Sequence, residues 1–337
     1  NLSWLGIEWN KKFNQSERTN LYKLKIDKLK NDGRLYPCFE TAEELSLKKK
    51  SLLSSGKPPI YDRSSLSLSK NEINQKINSG IKCHWRFKLD EDLINWDDLV
   101  KDNVKFDPKN LSDPILIRED GSLLYHLPSV IDDIEEQITH IIRGEDHISN
   151  TAFHIQIFKA LDAHVPVFAH HPFLTDQDGK GFGKRIGSLS IENLKVEGYE
   201  DISIINYLIN IGSSEDIKPE TKIDNIVNNF DLKNISNSSA KFSDNVLKSL
   251  NSDVLKIYDY DQIKSKIKLS NHNIDLKKIW KFAQNNIDFL KDVETWSNTI
   301  QATIEIEKYD IPNTLVKAAL ECIPDDPFSY DTWDNWT

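Results

Sequence analysis

The sequence predicts a multidomain α/β protein that becomes mainly α-helical toward its C-terminus. Three observations carry that expectation. Ile115-Leu-Ile117 and Ile138–Ile142 are short apolar runs between polar turns, which read as buried strands. Ser149–Leu161 follows the second run at helical spacing, with Ser149 or Asn150 as N-cap, so strand, turn and helix come in the order that ligand-binding parallel sheets use. Further on, Asn206–Ile209, Val246–Leu255, Leu276–Ala283, Val293–Ile306 and Val316–Cys322 carry apolar residues at helix-like spacing.

Taken in order, residues 1–30 read as a helical stretch, with Trp4, Leu5, Ile7, Trp9, Leu21, Leu24 and Leu29 on its apolar positions. Residues 31–118 mix short strands, turns and a Lys/Ser-rich helix, broken at Lys57-Pro-Pro59 and Asp107-Pro-Lys109. Residues 119–160 hold the strand–turn–helix unit. The chain is expected to leave that sheet near residue 160. Residues 186–260 read as helical, with a loop in the Asp-, Asn-, Lys- and Ser-rich stretch 214–245, and residues 258–337 read as helical again. No internal repeat is visible.

With 337 residues the chain can form two or three domains, each with a core. Apolar residues make up 38% and charged residues 28%, the balance of a globular protein. No apolar run approaches the ~18 residues of a membrane-spanning helix. The net charge of −10 excludes a global basic field as the attractor for nucleic acid, leaving local basic surface such as Lys48-Lys-Lys50 or 180–195. Cys38, Cys83 and Cys322 are odd in number and far apart, which fits a reducing compartment better than a disulfide framework. Cys83-His84 reads as ordinary packing.

Two segments carry chemistry. Arg143-Gly-Glu-Asp-His147 stands at the expected strand end, where a planar guanidinium can take a carboxylate with two parallel hydrogen bonds. The other reading of Arg143 is a structural ion pair with Glu145 or Asp146. Gly179-Lys-Gly-Phe-Gly-Lys-Arg185 is a glycine-rich basic loop able to fold over a triphosphate, or else a solvated basic loop. Together they point to an enzyme that binds an acidic small molecule beside a nucleotide.

These motifs, with Leu116-Ile-Arg-Glu-Asp-Gly121, Tyr125-His-Leu-Pro-Ser-Val-Ile-Asp-Asp133, Ile186-Gly-Ser-Leu-Ser190, Trp4-Leu-Gly-Ile-Glu-Trp9, Gln15-Ser-Glu-Arg18, Tyr36-Pro-Cys38, Gly56-Lys-Pro-Pro59, Glu197-Gly-Tyr199 and Asn206-Tyr-Leu208, make the chain resemble a bacterial glutamyl-tRNA synthetase of class I. The resemblance covers most of residues 1–210 and is weaker beyond. It implies a partial Rossmann-type catalytic domain with an inserted α+β domain. Residues 1–30 would end the first half of the Rossmann fold. Residues 31–118 would grip the tRNA acceptor end, 119–160 would form the second half, 161–257 a stem-contact domain, and 258–337 an α-helical anticodon-binding domain.

The resemblance also implies roles. Arg143, Tyr125 and Ser129 would bind glutamate, Ser129 standing where some relatives have Asn. Gly181, Phe182, Gly183, Lys184 and Arg185 would bind ATP, with Lys184 and Arg185 catalytic. Gly181 and Gly183 depart from the family's usual Lys-x-Ser-Lys-Arg. His147 and His170 would edge the nucleotide site. The family's His-x-Gly-His signature does not occur in the sequence, so the chain is expected to start downstream of it. The implied partners are glutamate, ATP with Mg²⁺, and tRNA-Glu, with tRNA-Gln a second candidate. No zinc is expected, because Glu40 replaces a cysteine two residues after Cys38 and no Cys pair follows Tyr61. The implied enzyme is a cytoplasmic monomer. Alternatives are a glutaminyl-tRNA synthetase, disfavoured by the helical C-terminal pattern, a short tRNA-base-glutamylating relative, disfavoured by residues 258–337, and a catalytically weakened tRNA-binding paralogue.

Overall fold

The computed structural model describes residues 1–181, 190–213, 217–270, 275–301 and 312–321. The chain divides into two compact units, Asn1–Tyr258 and Asp259–Thr337.

The first unit opens with turns and a short 3-10 helix, then α1 (Thr19–Asn31), β1 (Leu35–Cys38), α2 (Ala42–Ser54), α3 (Lys70–Asn78) and β2 (His84–Phe87). β3 (Ile94–Asp98), β4 (Asp102–Phe106), β5 (Ile115–Ile117), α4 (His126–Glu135), β6 (His140–Gly144), α5 (Ile148–Ala160) and β7 (Val167–His171) follow. It closes with β8 (Leu174–Thr175), α6 (Ile191–Glu197), α7 (Asp201–Asn210), α8 (Ile223–Asn229), β9 (Ala240–Lys241) and α9 (Asp244–Ile257). In the second unit the described elements are all helices: α10 (Tyr260–Ile263), α11 (Leu276–Ala283), α12 (Asp292–Gln301) and α13 (Asn313–Glu321).

Local sequence explains the helix starts. Thr41 and Glu44 close a capping box on α2, and Ser69 and Glu72 do the same on α3. Asp275 accepts from the backbone N–H groups of Lys277 and Lys278 at the start of α11. α6 stops at Gly198, whose φ of 105° few other residues adopt.

Two sheets position the candidate site. One is antiparallel, in the order β1-β2-β5. The other runs β4-β3-β7-β6: β3 and β4 form a hairpin, and β3, β7 and β6 are parallel neighbours. β6, α5 and β7 make a βαβ crossover. One core joins both sheets to α1, α4 and α5, with Leu29, Phe87, Leu116, Leu127, Ile131 and Phe158 fully or nearly fully buried.

Several expectations shift. The helix expected over residues 1–30 starts only at Thr19, because the chain before it turns at Gly6 (φ 71°) and runs irregularly to Asn14. Tyr22, Ile26 and Leu29 carry its buried stripe, and Leu24 is 69% exposed. The strand expected over 138–142 is β6, two residues later and not buried: it is the sheet's edge, and Ile142 is 55% exposed. α5 is capped by His147 rather than Ser149 or Asn150, since the 3-10 turn Glu145–His147 leads straight into it. The sheet does not end near 160, because β7 returns between β3 and β6. It also takes in β3 and β4 from the 31–118 segment. A short helix, α8, stands within the 214–245 stretch expected as loop.

Candidate active site

Asp98, Arg143 and His170 stand at the carboxyl ends of three adjacent parallel strands, the edge where open α/β sheets bind ligands. Parallel pairing sets Arg143 opposite His170 and Asp98 opposite Phe168.

The Arg143 guanidinium is half-buried, and each of its nitrogens has a partner. Nε donates to His170 Nε2 (3.3 Å), one terminal nitrogen to the Tyr125 hydroxyl (3.1 Å) and the other to Thr151 Oγ1 (2.6 Å). None of those partners is a carboxylate. Glu145 is taken by Lys101 at 2.7 Å, and Asp146 lies nearest His147 at 3.6 Å, so neither forms the expected alternative ion pair. Among the described residues no carboxylate forms an ion pair with Arg143. Burial pulls its pKa down from the ordinary value, yet an arginine stays charged. Five N–H donors less three engaged leaves two, the number a bidentate carboxylate takes.

Tyr125 opens α4 and is 48% exposed, so its hydroxyl joins Arg143 at the surface of the site. Ser129 follows one helical turn later, on the same face. His147 meets Tyr125 edge-on, ring centroids 5.6 Å apart, and its Nδ1 bonds the Asn150 side-chain amide (3.1 Å). His126 and His154 complete the group, Nδ1 to Nε2 at 3.1 Å. Burial first, then the Arg143 charge, push His126 down to about 4 and His154 well below its ordinary value, so both are neutral near pH 7.

His170 is a correction. Expected at the edge of the nucleotide site, it is completely buried and offers a ligand no surface. Its Nδ1 meets Asp98 Oδ2 at 2.5 Å and its Nε2 meets Thr151 Oγ1 at 2.8 Å. Asp98, which the sequence reading did not single out, also accepts from Trp96 Nε1 and from the backbone of Val100, Lys101 and His170. Burial alone would raise its pKa, but these hydrogen bonds hold it well below the usual carboxylate range. The alternation of Ile94 and Trp96 with Asn95 and Asp97 was the available sequence signal, and the structure buries Ile94, Trp96 and Asp98 together.

The basic loop is entered from a tight hairpin. Thr175 bridges Gly181, Asp176 N–H donates to Lys180 O, and Gly179 takes φ 80° at the turn. Gly181 and Lys180 are exposed. Phe182, Gly183, Lys184 and Arg185 lie outside the described residues.

Comparison with known proteins accords with this geometry. The family model for class I tRNA synthetases (E and Q), catalytic domain, matches residues 1–249. The chain belongs to that family. Glutamate–tRNA ligase 2 of Beijerinckia indica is 40% identical over 341 aligned residues, which span all of this chain and 75% of that protein. Glutamate–tRNA ligase 1 of Maricaulis maris is 40% identical, with the same coverage of each chain. A crystal structure of a glutamate tRNA ligase from Elizabethkingia meningosepticum, in complex with its amino acid, superposes with a TM-score of 0.79. It covers 99% of this synthetase chain and 77% of its own at 23% identity, a likeness of fold.

Proposed function

We propose that the chain is a glutamate–tRNA ligase. Glutamate attacks the α-phosphate of ATP, giving glutamyl-adenylate and pyrophosphate. The terminal ribose hydroxyl of tRNA-Glu then takes the glutamyl group and AMP leaves. The observation that carries this reading is the half-buried Arg143, held by two hydroxyls and an imidazole with two donors to spare, in a chain 40% identical to glutamate–tRNA ligases over its whole length. Arg143 and Tyr125 hold a carboxylate of glutamate, with Ser129 beside them. Lys184 and Arg185, with Gly181, Phe182 and Gly183, meet the ATP phosphates, and His147 lines the adenosine side. Orientation and charge stabilisation supply the rate, as no covalent intermediate with the protein is needed.

Mg²⁺ enters with ATP as part of the substrate. Cys38 Sγ meets the Tyr61 hydroxyl at 2.8 Å, and Glu40 accepts from Ser64, Ser65, Tyr61 and Lys48. That supports a reading without zinc, since these groups satisfy one another. Residues 31–118 are assigned to the tRNA acceptor end and the helices of 258–337 to the anticodon. The enzyme is read as cytoplasmic and monomeric. No helix among the described residues is long and apolar enough to cross a membrane.

Charging of purified tRNA-Glu and tRNA-Gln with radiolabelled glutamate, side by side, tests the reading. Charging of tRNA-Glu is expected, and charging of tRNA-Gln as well would widen the substrate range. Failure to charge either, with tRNA binding retained, would refute the enzyme and leave a binding paralogue.

A further inference from the structure

We infer that Asp98 and His170 are positioning residues for Arg143: a buried carboxylate–imidazole pair that fixes the guanidinium in its substrate-binding orientation. The inference rests on the reading of Arg143 as the glutamate-binding residue.

The tautomer of His170 follows from its neighbours. Arginine Nε can only donate, so a bond to His170 Nε2 requires Nε2 to be the acceptor. The ring proton is then on Nδ1, facing the ionised Asp98. Asp98 cannot rotate to offer another geometry, because backbone N–H groups from Val100, Lys101 and His170 fix one oxygen while Trp96 Nε1 and His170 Nδ1 fix the other. Thr151 closes the triangle: it accepts from Arg143, and its single hydroxyl proton goes to His170 Nε2 or to the His147 carbonyl at 3.2 Å. The residues come from β3, β6, α5 and β7, so the pair ties the guanidinium to three strands and the crossover helix at once.

The arrangement has a chemical consequence. A carboxylate touching Arg143 directly would hold it equally well but would neutralise it. Placed one imidazole away, Asp98 orients the guanidinium and leaves its two remaining donors and its charge for a ligand.

The test uses His170→Asn, His170→Gln and Arg143→Lys, with KM for glutamate and for ATP measured separately by ATP–pyrophosphate exchange. The asparagine amide can take the place of Nδ1 and keep the bond to Asp98, but nothing then reaches Arg143. His170→Asn is expected to raise KM for glutamate about ten- to a hundredfold while KM for ATP moves less than about twofold. His170→Gln, whose carbonyl can occupy the Nε2 position, is expected to recover part of that loss. In an Arg143→Lys background His170→Asn should add less than about twofold, because the group it acts through is gone. Equal changes in both KM values, or an undiminished effect in the Arg143→Lys background, would overturn the positioning role. Arg143→Lys without effect on KM for glutamate would overturn the substrate reading itself. Arg143→Lys raising it while His170→Asn is silent would overturn the positioning role alone.

Discussion

Asp133 offers a quantitative test of how α4 presents its polar residues to the site. It lies two turns beyond Tyr125, partly buried, and no side-chain hydrogen bond reaches its carboxyl among the described residues. Burial raises its pKa from the ordinary 3.8 to about 6, against an opposing pull from the Arg143 charge. That difference corresponds to about 3 kcal/mol held against the charged form, and partial solvent exposure reduces it to about 1–2 kcal/mol. The sign follows from the raised value. The native state prefers the protonated carboxyl, so the contribution favours folding below pH 3.8 and is lost as pH rises through about 6. Asp133→Asn imitates the protonated form at every pH. It is therefore expected to stabilise the protein by about 1–2 kcal/mol at pH 7.5, with the advantage shrinking between pH 6 and 4 and gone below. Urea denaturation of both proteins at half-unit pH steps measures this. A variant less stable than the parent at pH 7.5, or a pH-independent difference, would refute the reasoning, because either would mean that the charged carboxylate is satisfied in the native state.

Three further outcomes follow from the same geometry. Tyr125→Phe removes one of the three groups aligning Arg143 and should raise KM for glutamate about fivefold, the value of one hydrogen bond of about 1 kcal/mol, in pyrophosphate-exchange kinetics. Glu40→Ala leaves the Ser64 and Ser65 hydroxyls without their acceptor, while Lys48 keeps Asp62, and should cost about 2 kcal/mol in denaturant titration at pH 7; the hydrogen bonds outweigh burial and depress the pKa of Glu40, so the parent loses the same contribution only as pH falls well below 4.5. Leu127→Ala empties fully buried space under α4 and should lower stability by about 2–5 kcal/mol in the same titration, a loss of under 1 kcal/mol meaning that the helix can collapse onto the gap.

The sequence made legible what is local. Arg143 and His147 lie in the strand–turn–helix unit that the sequence places, whereas α4, which carries Tyr125 and Ser129, is not read as a helix from the sequence and its residues come only from the motif resemblance. The helices of the second unit were legible for the same reason, Leu276–Ala283 to the residue. What escaped is set by pairing between distant strands. Asp98 is 45 residues before Arg143, and only the β4-β3-β7-β6 order brings the two strand ends together. His170 looked available to a nucleotide, and the register that buries it against Asp98 is a property of the sheet. Composition misleads in the opposite direction: Ile141-Ile142 reads as a central strand, whereas β6 ends the sheet order among the described residues and Ile142 is exposed.

The absence of a carboxylate in contact with Arg143 among the described residues is the point on which fold and chemistry meet. A half-buried guanidinium with no carboxylate in contact is costly, and burial lowering its pKa is the sign of that cost. Some cations elsewhere in this chain have a carboxylate in contact, while the buried Arg86 has the Asp113 carbonyl and the Tyr61 ring. Lys101 has Glu145 at 2.7 Å and Arg63 has the fully buried Asp113 at 2.9 Å. At Arg143 the carboxylate is withdrawn behind an imidazole, and the contact positions go to a hydroxyl, a ring nitrogen and a second hydroxyl. The pair Lys101–Glu145 even removes from reach the acidic residue two positions along the chain. A site built for stability would let that carboxylate fold back onto the arginine. On the proposed reading, an anionic ligand would satisfy the donors and the charge that no carboxylate contacts at Arg143, since Glu145 is held by Lys101.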